Sequence, residues 1–261
     1  MSKLSKLLRS KYPIFYKLYQ EIIGEIYYEN LGIGYLIRLF SKKRLQQLEN
    51  VYQDPIKVVF NFKGIGPYKS IRPLQITSEI SELFNVVKGL NPKVVCEIGT
   101  DLGGTLYLWS KAMQSGGLLI SIDLPRLYRK PLNRFLYSFF SKTQQVYFLR
   151  ESSHSLDCLL KVQKILGDKK IDFLFIDGDH SYEGVKKDFL FYSKCVRKDG
   201  IIAFHDIMKD NLPGNVCDVD KFWARIKTVF QHREIAADRQ QIGAGIGIIY
   251  YDPEKTYERS I

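Results

Sequence analysis

The fold is decided by one stretch of the chain, Val94-Val95-Cys96-Glu97-Ile98-Gly99-Thr100-Asp101-Leu102-Gly103-Gly104-Thr105. Its first five residues are mostly apolar, which is typical of a short buried strand. The glycines that follow let the backbone turn sharply and approach a ligand closely. A helix that begins after such a loop offers N–H donors at its N-terminus. The stretch therefore predicts a strand, a ligand-binding loop and a helix, in that order.

Further short apolar runs follow, separated by helical patterns. These strand candidates are Leu118–Ile122, Val146–Leu149, Phe173–Ile176 and Ile201–Phe204. Alternation of strands and helices favours a parallel sheet. The last two candidates, Glu234–Ala237 and Ile246–Tyr251, are joined by a connection too short for a crossover helix, so they should pair antiparallel. The prediction is a Rossmann-like α/β fold whose seven-stranded, mostly parallel sheet ends in an antiparallel C-terminal hairpin.

The chain before this domain divides into two segments. Residues 1–50 carry nine Lys or Arg against four Glu, with aromatic and aliphatic residues at helical spacing, and predict a basic helical extension. Residues 51–75 predict a loop-rich connector with one strand candidate, Lys57–Phe62, and residues 76–261 the main domain. The extension is interpreted either as packing on the domain or on a second subunit in a homo-oligomer, or as a peripheral membrane-binding face.

The formal charge of +11 is concentrated in two segments. One is residues 1–50, and the other is residues 126–150, with six basic residues and no acids. The second overlaps an insert, Pro125–Lys142, that also holds five aromatic residues. We expect this insert either to face an acceptor such as a phosphorylated or lipid-linked glycan, or to cover the sheet. Peripheral membrane contact would use residues 1–50 and 126–142. Nucleic acid is disfavoured, since no recognised nucleic-acid module is present.

Cysteine usage and hydropathy indicate in which cellular compartment the protein is expected. The four cysteines are Cys96, Cys158, Cys195 and Cys217, none in a Cys-x-x-Cys pair, which favours reduced thiols in a reducing compartment. The apolar run from Leu31 to Phe40 is about half the length that a membrane-spanning helix needs and contains Arg38. The sequence thus predicts a cytoplasmic protein, with peripheral membrane association left open.

The glycine loop and the strand ends near it predict a nucleoside-bearing cofactor. Asp123 ends the second strand, where a carboxylate can accept both hydroxyls of a ribose. The loop lacks the Gly-x-Gly-x-x-Gly spacing of nicotinamide sites, and Glu97 suits the cationic methionine end of S-adenosylmethionine better than a pyrophosphate. Ser152 follows the third strand, where an adenine would lie. The predicted cofactor-binding residues are Glu97, Gly99, Gly103, Gly104, Thr105, Asp123, Ser152 and Asp177.

Two acid-and-histidine clusters follow successive strands. The first is Asp177-Gly178-Asp179-His180, and the second is His205-Asp206. If the strands are neighbours, Asp177, Asp179, His180, His205 and Asp206 should converge beside the reacting group of the cofactor. The competing interpretation is that Asp177-Gly178 only turns the chain and Asp179 caps the next helix.

These motifs carry a specific resemblance. From about Gln75 to Ile207 the chain resembles the class I methyltransferase family that includes cephalosporin-biosynthesis enzymes and macrolide-sugar O-methyltransferases. The matching pieces are the glycine loop, the segment Asp177–Glu183 and Phe204-His205-Asp206. The resemblance implies that Asp177 is a magnesium ligand and His180 the general base, and that His205 and Asp206 complete the metal site. His205 departs from the family, which has Glu there.

The resemblance and the residues together predict an O-methyltransferase that uses S-adenosylmethionine on a hydroxyl of a sugar, glycan or other small molecule. Asp177, His205 and Asp206 are the candidate ligands of Mg²⁺ or another divalent metal, and imidazole favours manganese, iron or zinc over magnesium. Asp177, His180 and His205 are the candidate catalytic residues; without a metal, His205 would itself act as a base or orient the acceptor. The alternatives are an NAD(P)-dependent oxidoreductase and a non-catalytic, membrane-associated binding protein.

Overall fold

The computed structural model describes residues 33–64, 70–124, 143–209 and 217–255. Seven strands form one sheet, in the order β3-β2-β1-β4-β5-β7-β6. The strands are β1 (Val94–Ile98), β2 (Leu118–Ile122), β3 (Gln145–Leu149), β4 (Ile171–Ile176), β5 (Val196–His205), β6 (Gln231–Ile235) and β7 (Ile246–Tyr250). The helices are α1 (Ile33–Tyr52), α2 (Pro55–Asn61), α3 (Thr77–Leu90), α4 (Gly104–Ala112), α5 (Leu156–Leu166), α6 (Tyr182–Tyr192) and α7 (Val219–Ile226).

Strands β3, β2, β1, β4 and β5 are parallel, whereas β7 runs antiparallel to both β5 and β6. Alternate side chains of the central strands face two separate apolar cores. Phe173 and Phe175 of β4 pack edge-to-face on Trp109 of α4 in one core, and Leu174 and Ile176 lie in the other. Burial on both faces explains why these strands are continuous apolar runs. The predicted fold class is confirmed.

The two helices at the start of the described chain pack beside α4. Glu49 of α1 accepts a hydrogen bond from the Tyr107 hydroxyl at 2.9 Å and pairs with Lys111 at 2.7 Å. α1 continues to Tyr52, so the predicted boundary at residue 50 falls inside a helix.

The predicted strand Lys57–Phe62 is wrong, because Lys57–Asn61 lie in α2 and Phe62 is the residue at its C-terminal cap. Asp54 caps that helix by accepting a hydrogen bond from the Ile56 N–H at 3.0 Å, and Pro55 occupies its first turn. Aspartate at the N-cap followed by proline is a helix-start signal, and it outweighs the strand preference of Val58 and Val59.

Other predicted strands differ from the structure only at their ends. β1 and β2 have their predicted bounds, and β3, β4 and β7 differ by one or two residues. β5 begins at Val196, earlier than its apolar run. β6 was predicted at Glu234–Ala237 but spans Gln231–Ile235. The first four residues of β6 are exposed and polar, so no apolar pattern marks this strand in the sequence. Its position is set by its pairing with β7.

Within the described ranges, no helix combines the length and hydropathy that a membrane span would need. Residues 1–32 and 126–142, which make up most of the basic segments with a predicted membrane or acceptor role, lie outside these ranges. Cys96, Cys158 and Cys195 are buried and Cys217 is half-buried, and all four are unpaired thiols, as the sequence predicts.

Candidate functional site

A cavity of about 790 Å³ opens at the carboxyl ends of β1, β2, β4 and β5. This is the edge where an open parallel sheet places its ligands, beside the point at which strand order reverses. The cavity is lined by the five loops that follow β1, β2, β3, β4 and β5, by Ala244 of the β6–β7 loop and by the segment Arg72–Gln75 that precedes α3. The position and the lining together make it the candidate active site.

The glycine loop forms the floor of this cavity. Gly99 has a φ of +89°, and a Cβ there would come within 1.9 Å of the Asp177 carbonyl oxygen. A Cβ on Gly104 would come within 2.1 Å of the Ile71 carbonyl oxygen. Gly103 adopts a left-handed conformation as the N-cap of α4. Glycine is required here because the loop passes directly against neighbouring backbone.

Glu97 lies beneath the loop and is fully buried. Its Oε1 accepts a hydrogen bond from the Trp109 indole N–H at 2.9 Å. Its Oε2 has no hydrogen-bond partner within the described part of the chain. Burial raises the pKa of Glu97 to about 8, against the opposing effect of the nearby Thr105, Trp109 and Thr100 side chains. An unpartnered buried carboxylate oxygen is a site for a cation or a bound water.

Asp123 follows β2 and lines the cavity. Its Oδ2 accepts a hydrogen bond from the Asp101 N–H at 3.0 Å, which ties it to the glycine loop. An ionised carboxylate has about four lone-pair sites, so Asp123 keeps acceptor capacity for ligand hydroxyls.

Asp177, His180, His205 and Asp206 form one cluster at the ends of β4 and β5. His180 Nδ1 lies 2.9 Å from Asp206 Oδ2, and His205 Nδ1 lies 3.3 Å from the same oxygen. Asp177 Oδ1 lies 3.2 Å from His205 Nδ1 and 3.6 Å from His180 Nε2. Because β4 and β5 are hydrogen-bonded neighbours, their two terminal motifs meet.

The two carboxylates control the charge of the two imidazoles. Pairing with Asp206 raises the pKa of His180 to about 10. Burial alone would lower the pKa of His205, but Asp177 and Asp206 raise it well above its ordinary value. Burial would raise the pKa of Asp206, yet the two histidines hold it well below its usual range. Without a metal ion, the carboxylates of the cluster therefore favour the protonated form of both imidazoles.

Neighbouring segments fix the two carboxylates. Gln75 donates a hydrogen bond to Asp177 Oδ2 at 2.6 Å. Asp206 has a φ of +61°, a conformation that aspartate adopts more readily than most residues. The chain after it is held by the β6–β7 loop, since Met208 donates to the Ala244 carbonyl at 2.9 Å. The cluster is therefore preorganised by segments far apart in the sequence.

Comparisons with known proteins agree with this geometry. Residues 96–207 match a family model described as a methyltransferase domain, which spans the glycine loop and both acid-and-histidine clusters. The strand order, with β7 inserted antiparallel between β5 and β6, is that of class I methyltransferases. The chain therefore has the fold of a class I methyltransferase domain.

Solved structures resemble this domain at low sequence identity. An O-methyltransferase from Bacillus cereus, solved with SAH, has a TM-score of 0.55 at 16% identity and aligns over 82% of this chain and 100% of its own. The O-methyltransferase TomG from Streptomyces achromogenes, which acts in tomaymycin synthesis and was solved with SAM, has a TM-score of 0.52 at 14% identity, over 80% and 87%. These likenesses establish the fold.

A sequence relative matches only a short segment. An uncharacterized protein of Acanthamoeba polyphaga mimivirus is 58% identical over 36 residues, which are 14% of this chain and 16% of the viral protein. The match therefore spans about a sixth of that relative.

The methyltransferase domain brings most of the predicted site residues to the cavity. The residues that line it are Gly99, Gly104, Thr105, Asp123, Ser152, Asp177, His180, His205 and Asp206. Glu97 and Gly103 are not among the lining residues, since Glu97 is buried below the loop and Gly103 caps α4. Five side chains were expected to converge at the strand ends, and four of them form the cluster described above. Asp179 also lines the cavity, but its carboxylate accepts a hydrogen bond from the Ser181 N–H at 2.9 Å and faces His154.

Sequence reasoning missed His154, which lines the same cavity after β3. Its Nε2 lies 3.3 Å from Oδ1 of Asp188, a fully buried carboxylate on α6. The nearby Asp188 carboxylate raises the pKa of His154 against the opposing effect of burial. One signal was available: Asp188 lies on the buried face of α6 with Val185, Phe189 and Tyr192, and an acid on an apolar face needs a partner.

Proposed function

We propose that this protein is an S-adenosylmethionine-dependent O-methyltransferase that acts on a hydroxyl of a sugar, a glycan or another small molecule. One observation carries the proposal. Asp177, His180, His205 and Asp206 line the same cavity as the glycine loop, so a cluster of carboxylates and imidazoles faces the place where this fold would hold a nucleoside cofactor.

The residues present fit that cofactor. Gly99 and Gly104 let the loop pass close to the backbone of Asp177 and Ile71, which shapes the cavity, and the first turn of α4 offers N–H donors. Asp123 can accept hydrogen bonds from ribose hydroxyls. Glu97 Oε2 is a buried acceptor without a partner within the described residues, which suits the positive methionine end, directly or through water. When bound, S-adenosylmethionine supplies an electrophilic methyl group.

The chain's own residues would position the acceptor and manage its proton. A hydroxyl is a weak nucleophile, so it gains from a base within hydrogen-bond reach. His180 is about two-fifths exposed, whereas His205 is 7% exposed, so His180 is the histidine that an acceptor can reach. Asp206 holds the His180 ring through Nδ1. Alignment of the acceptor oxygen by this cluster would supply much of the rate enhancement.

The donor set also fits a divalent metal. One ligand atom each from Asp177, His205 and Asp206 lies within 4.8 Å of the other two. Two carboxylates and an imidazole suit manganese or iron better than magnesium. Such an ion would bind adjacent acceptor oxygens and lower the pKa of the reacting hydroxyl. It would also offset the carboxylate charge that keeps His180 protonated.

The first experiment separates the cofactor classes. We expect isothermal titration calorimetry to show binding of S-adenosylhomocysteine to the full chain and no binding of NAD or NADP. The Asp123→Ala variant should weaken the binding, and the Asp157→Ala variant, which changes an exposed acid on α5, should not. Binding of NAD alone would favour the oxidoreductase.

The second experiment tests catalysis. Radiolabelled S-adenosylmethionine is offered with sugars, sugar phosphates and small polyols, with and without Mn²⁺ or Mg²⁺. Label in an alkali-stable methyl ether supports O-methylation. Cofactor binding without transfer to any acceptor, together with sedimentation on anionic vesicles, would favour the non-catalytic membrane-associated alternative. The acceptor, the membrane contact and a homo-oligomer remain predictions.

A further inference from the structure

Cys217 lies beside the candidate base, although the sequence places it 37 residues after His180. The N–H of Asp218 donates a hydrogen bond to the His180 carbonyl at 2.8 Å, which fixes the chain next to His180. α7 begins at Val219 and packs on α6 through Phe222 and Tyr182, whose rings are 6.0 Å apart. The position of Cys217 is thus set by backbone pairing and by helix packing.

One ligand atom each from His180, Asp206 and Cys217 lies within 4.8 Å of the other two. Imidazole nitrogen, carboxylate oxygen and thiolate sulfur form a donor set typical of zinc, and three protein ligands leave a fourth position open. The thiolate makes the set different in kind from Asp177, His205 and Asp206, because sulfur selects thiophilic ions and discriminates against magnesium and manganese. The two sets share only Asp206.

We propose that His180, Asp206 and Cys217 form a second binding site, specific for zinc or another thiophilic divalent ion, and that its occupancy inhibits methyl transfer. Binding breaks the S–H bond of Cys217 and releases protons to solvent as metal–sulfur and metal–nitrogen bonds form. The ion then occupies the His180 lone pair that would accept the hydroxyl proton. It also competes for Asp206 with any ion bound by the first set of ligands, Asp177, His205 and Asp206. The inhibition rests on the proposed function, whereas the metal site does not.

Cobalt titration of the full-length protein tests the site directly. Co²⁺ bound to a thiolate gives a sulfur-to-metal charge-transfer band in the near ultraviolet, which oxygen and nitrogen ligands do not give. We expect this band at one equivalent and its loss when Zn²⁺ displaces Co²⁺. The Cys217→Ser variant should lack the band and bind Zn²⁺ about tenfold or more weakly.

Two further variants are controls. Cys195→Ser makes the same chemical change in the core, away from the cluster, and should keep the band. Asp177→Asn removes a ligand of the first set only and should also keep the band. Circular dichroism confirms that each variant is folded. No band in the wild type, a band that persists in Cys217→Ser, or its loss in folded Asp177→Asn would overturn the proposed site.

The inhibition has its own readout. With an active acceptor, micromolar Zn²⁺ should inhibit the wild type, and Cys217→Ser, measured against its own rate without metal, should tolerate about tenfold more Zn²⁺. Equal inhibition of both proteins would overturn this half of the proposal. If no acceptor is methylated, the proposed function fails, and the cobalt band still decides whether the site exists.

Discussion

The carboxylate of Glu79 on α3 accepts a hydrogen bond from the N–H of Gly245 at 3.0 Å, although the two residues are 166 positions apart. The same carboxylate accepts from the Ala237 N–H at 3.0 Å and from the Gln241 side chain at 2.7 Å. Glu79 is fully buried. Because the loop that it holds accepts backbone hydrogen bonds from Met208 and Ile207, Glu79 acts on the segment that follows Asp206.

Replacing Glu79 by Ala should lower the free energy of unfolding by about 3 kcal/mol, because it removes an acceptor from three donors in a buried position. Denaturant unfolding measures the loss. The matched control is Glu82→Ala on the same helix, where a half-exposed acid pairs with Arg233 and the expected loss is below about 1 kcal/mol. Equal losses for the two variants would contradict the role assigned to Glu79.

Two glycines provide opposite predictions for one substitution. Gly99→Ala should destabilise the domain by about 3 kcal/mol or more and abolish cofactor binding, because its Cβ would collide with the Asp177 backbone at a positive φ. Gly89→Ala, on α3 with no atom within 4 Å of the added Cβ, should stabilise it by about 0.5 kcal/mol. Thermal unfolding distinguishes them. A tolerated Gly99→Ala would be inconsistent with the described loop.

The strands that the sequence predicted well are those whose signal is local. β1 and β2 are short apolar runs bounded by turn residues, so their own side chains define their ends. β6 is an exposed edge strand, and only its pairing with β7 places it at Gln231–Ile235. In α2, one capping aspartate and a proline outweigh a β-branched pair. The misplaced boundaries are thus those that depend on distant partners or on caps.

The residues of the candidate site also divide into those with a local sequence signal and those placed by distant packing. Asp177, His180, His205 and Asp206 were predictable, because two strand-end motifs must meet if their strands are neighbours. His154 pairs with an acid on a helix, and the sequence contains nothing local that joins them. The hydrogen bond from Asp218 to the His180 carbonyl and the packing of α7 on α6 bring Cys217 beside His180. Such contacts are decided by the packing of helices on the sheet.

Glu97 should make the stability of the cofactor-free protein depend on pH. Its pKa rises from 4.5 to about 8 on folding, so between these values the native state binds more protons than the unfolded state. The unfolding free energy of the wild type should therefore fall with rising pH across this window, by up to about 1.4 kcal/mol per pH unit from this group.

The Glu97→Gln variant removes this titration and can still accept from Trp109. Its advantage over the wild type in denaturant unfolding should grow from about pH 5 to pH 8 and then level off. Glu82→Gln, an exposed control, should show a nearly constant difference across the same range. A constant difference for Glu97→Gln as well would argue against the raised pKa.

The pair formed by His154 and Asp188 is testable by a double-mutant cycle. His154→Ala leaves Asp188 buried without its partner and should cost about 1–3 kcal/mol, less than a fully buried pair because His154 is a quarter exposed. Adding Asp188→Asn should recover part of that loss. Because the pKa of His154 is raised, its stabilisation is complete below the ordinary histidine pKa and is lost as pH rises through the raised value. If the losses of unfolding free energy in the two single variants add up to the loss in the double variant, His154 and Asp188 are not coupled.

Kinetics can test the base role proposed for His180 and separate it from cofactor binding. His180→Ala should lower the turnover of the identified acceptor by about 100-fold or more, since positioned bases contribute factors of that size. S-adenosylhomocysteine affinity should change by less than about threefold, because His180 belongs to the cluster at the ends of β4 and β5 and not to the glycine loop. His232→Ala is the control, as this histidine lies on β6 and is not among the residues that line the cavity. Equal losses of turnover and cofactor affinity in His180→Ala would mean that His180 shapes the cofactor site and that another group, with His205 the nearest alternative, takes the proton.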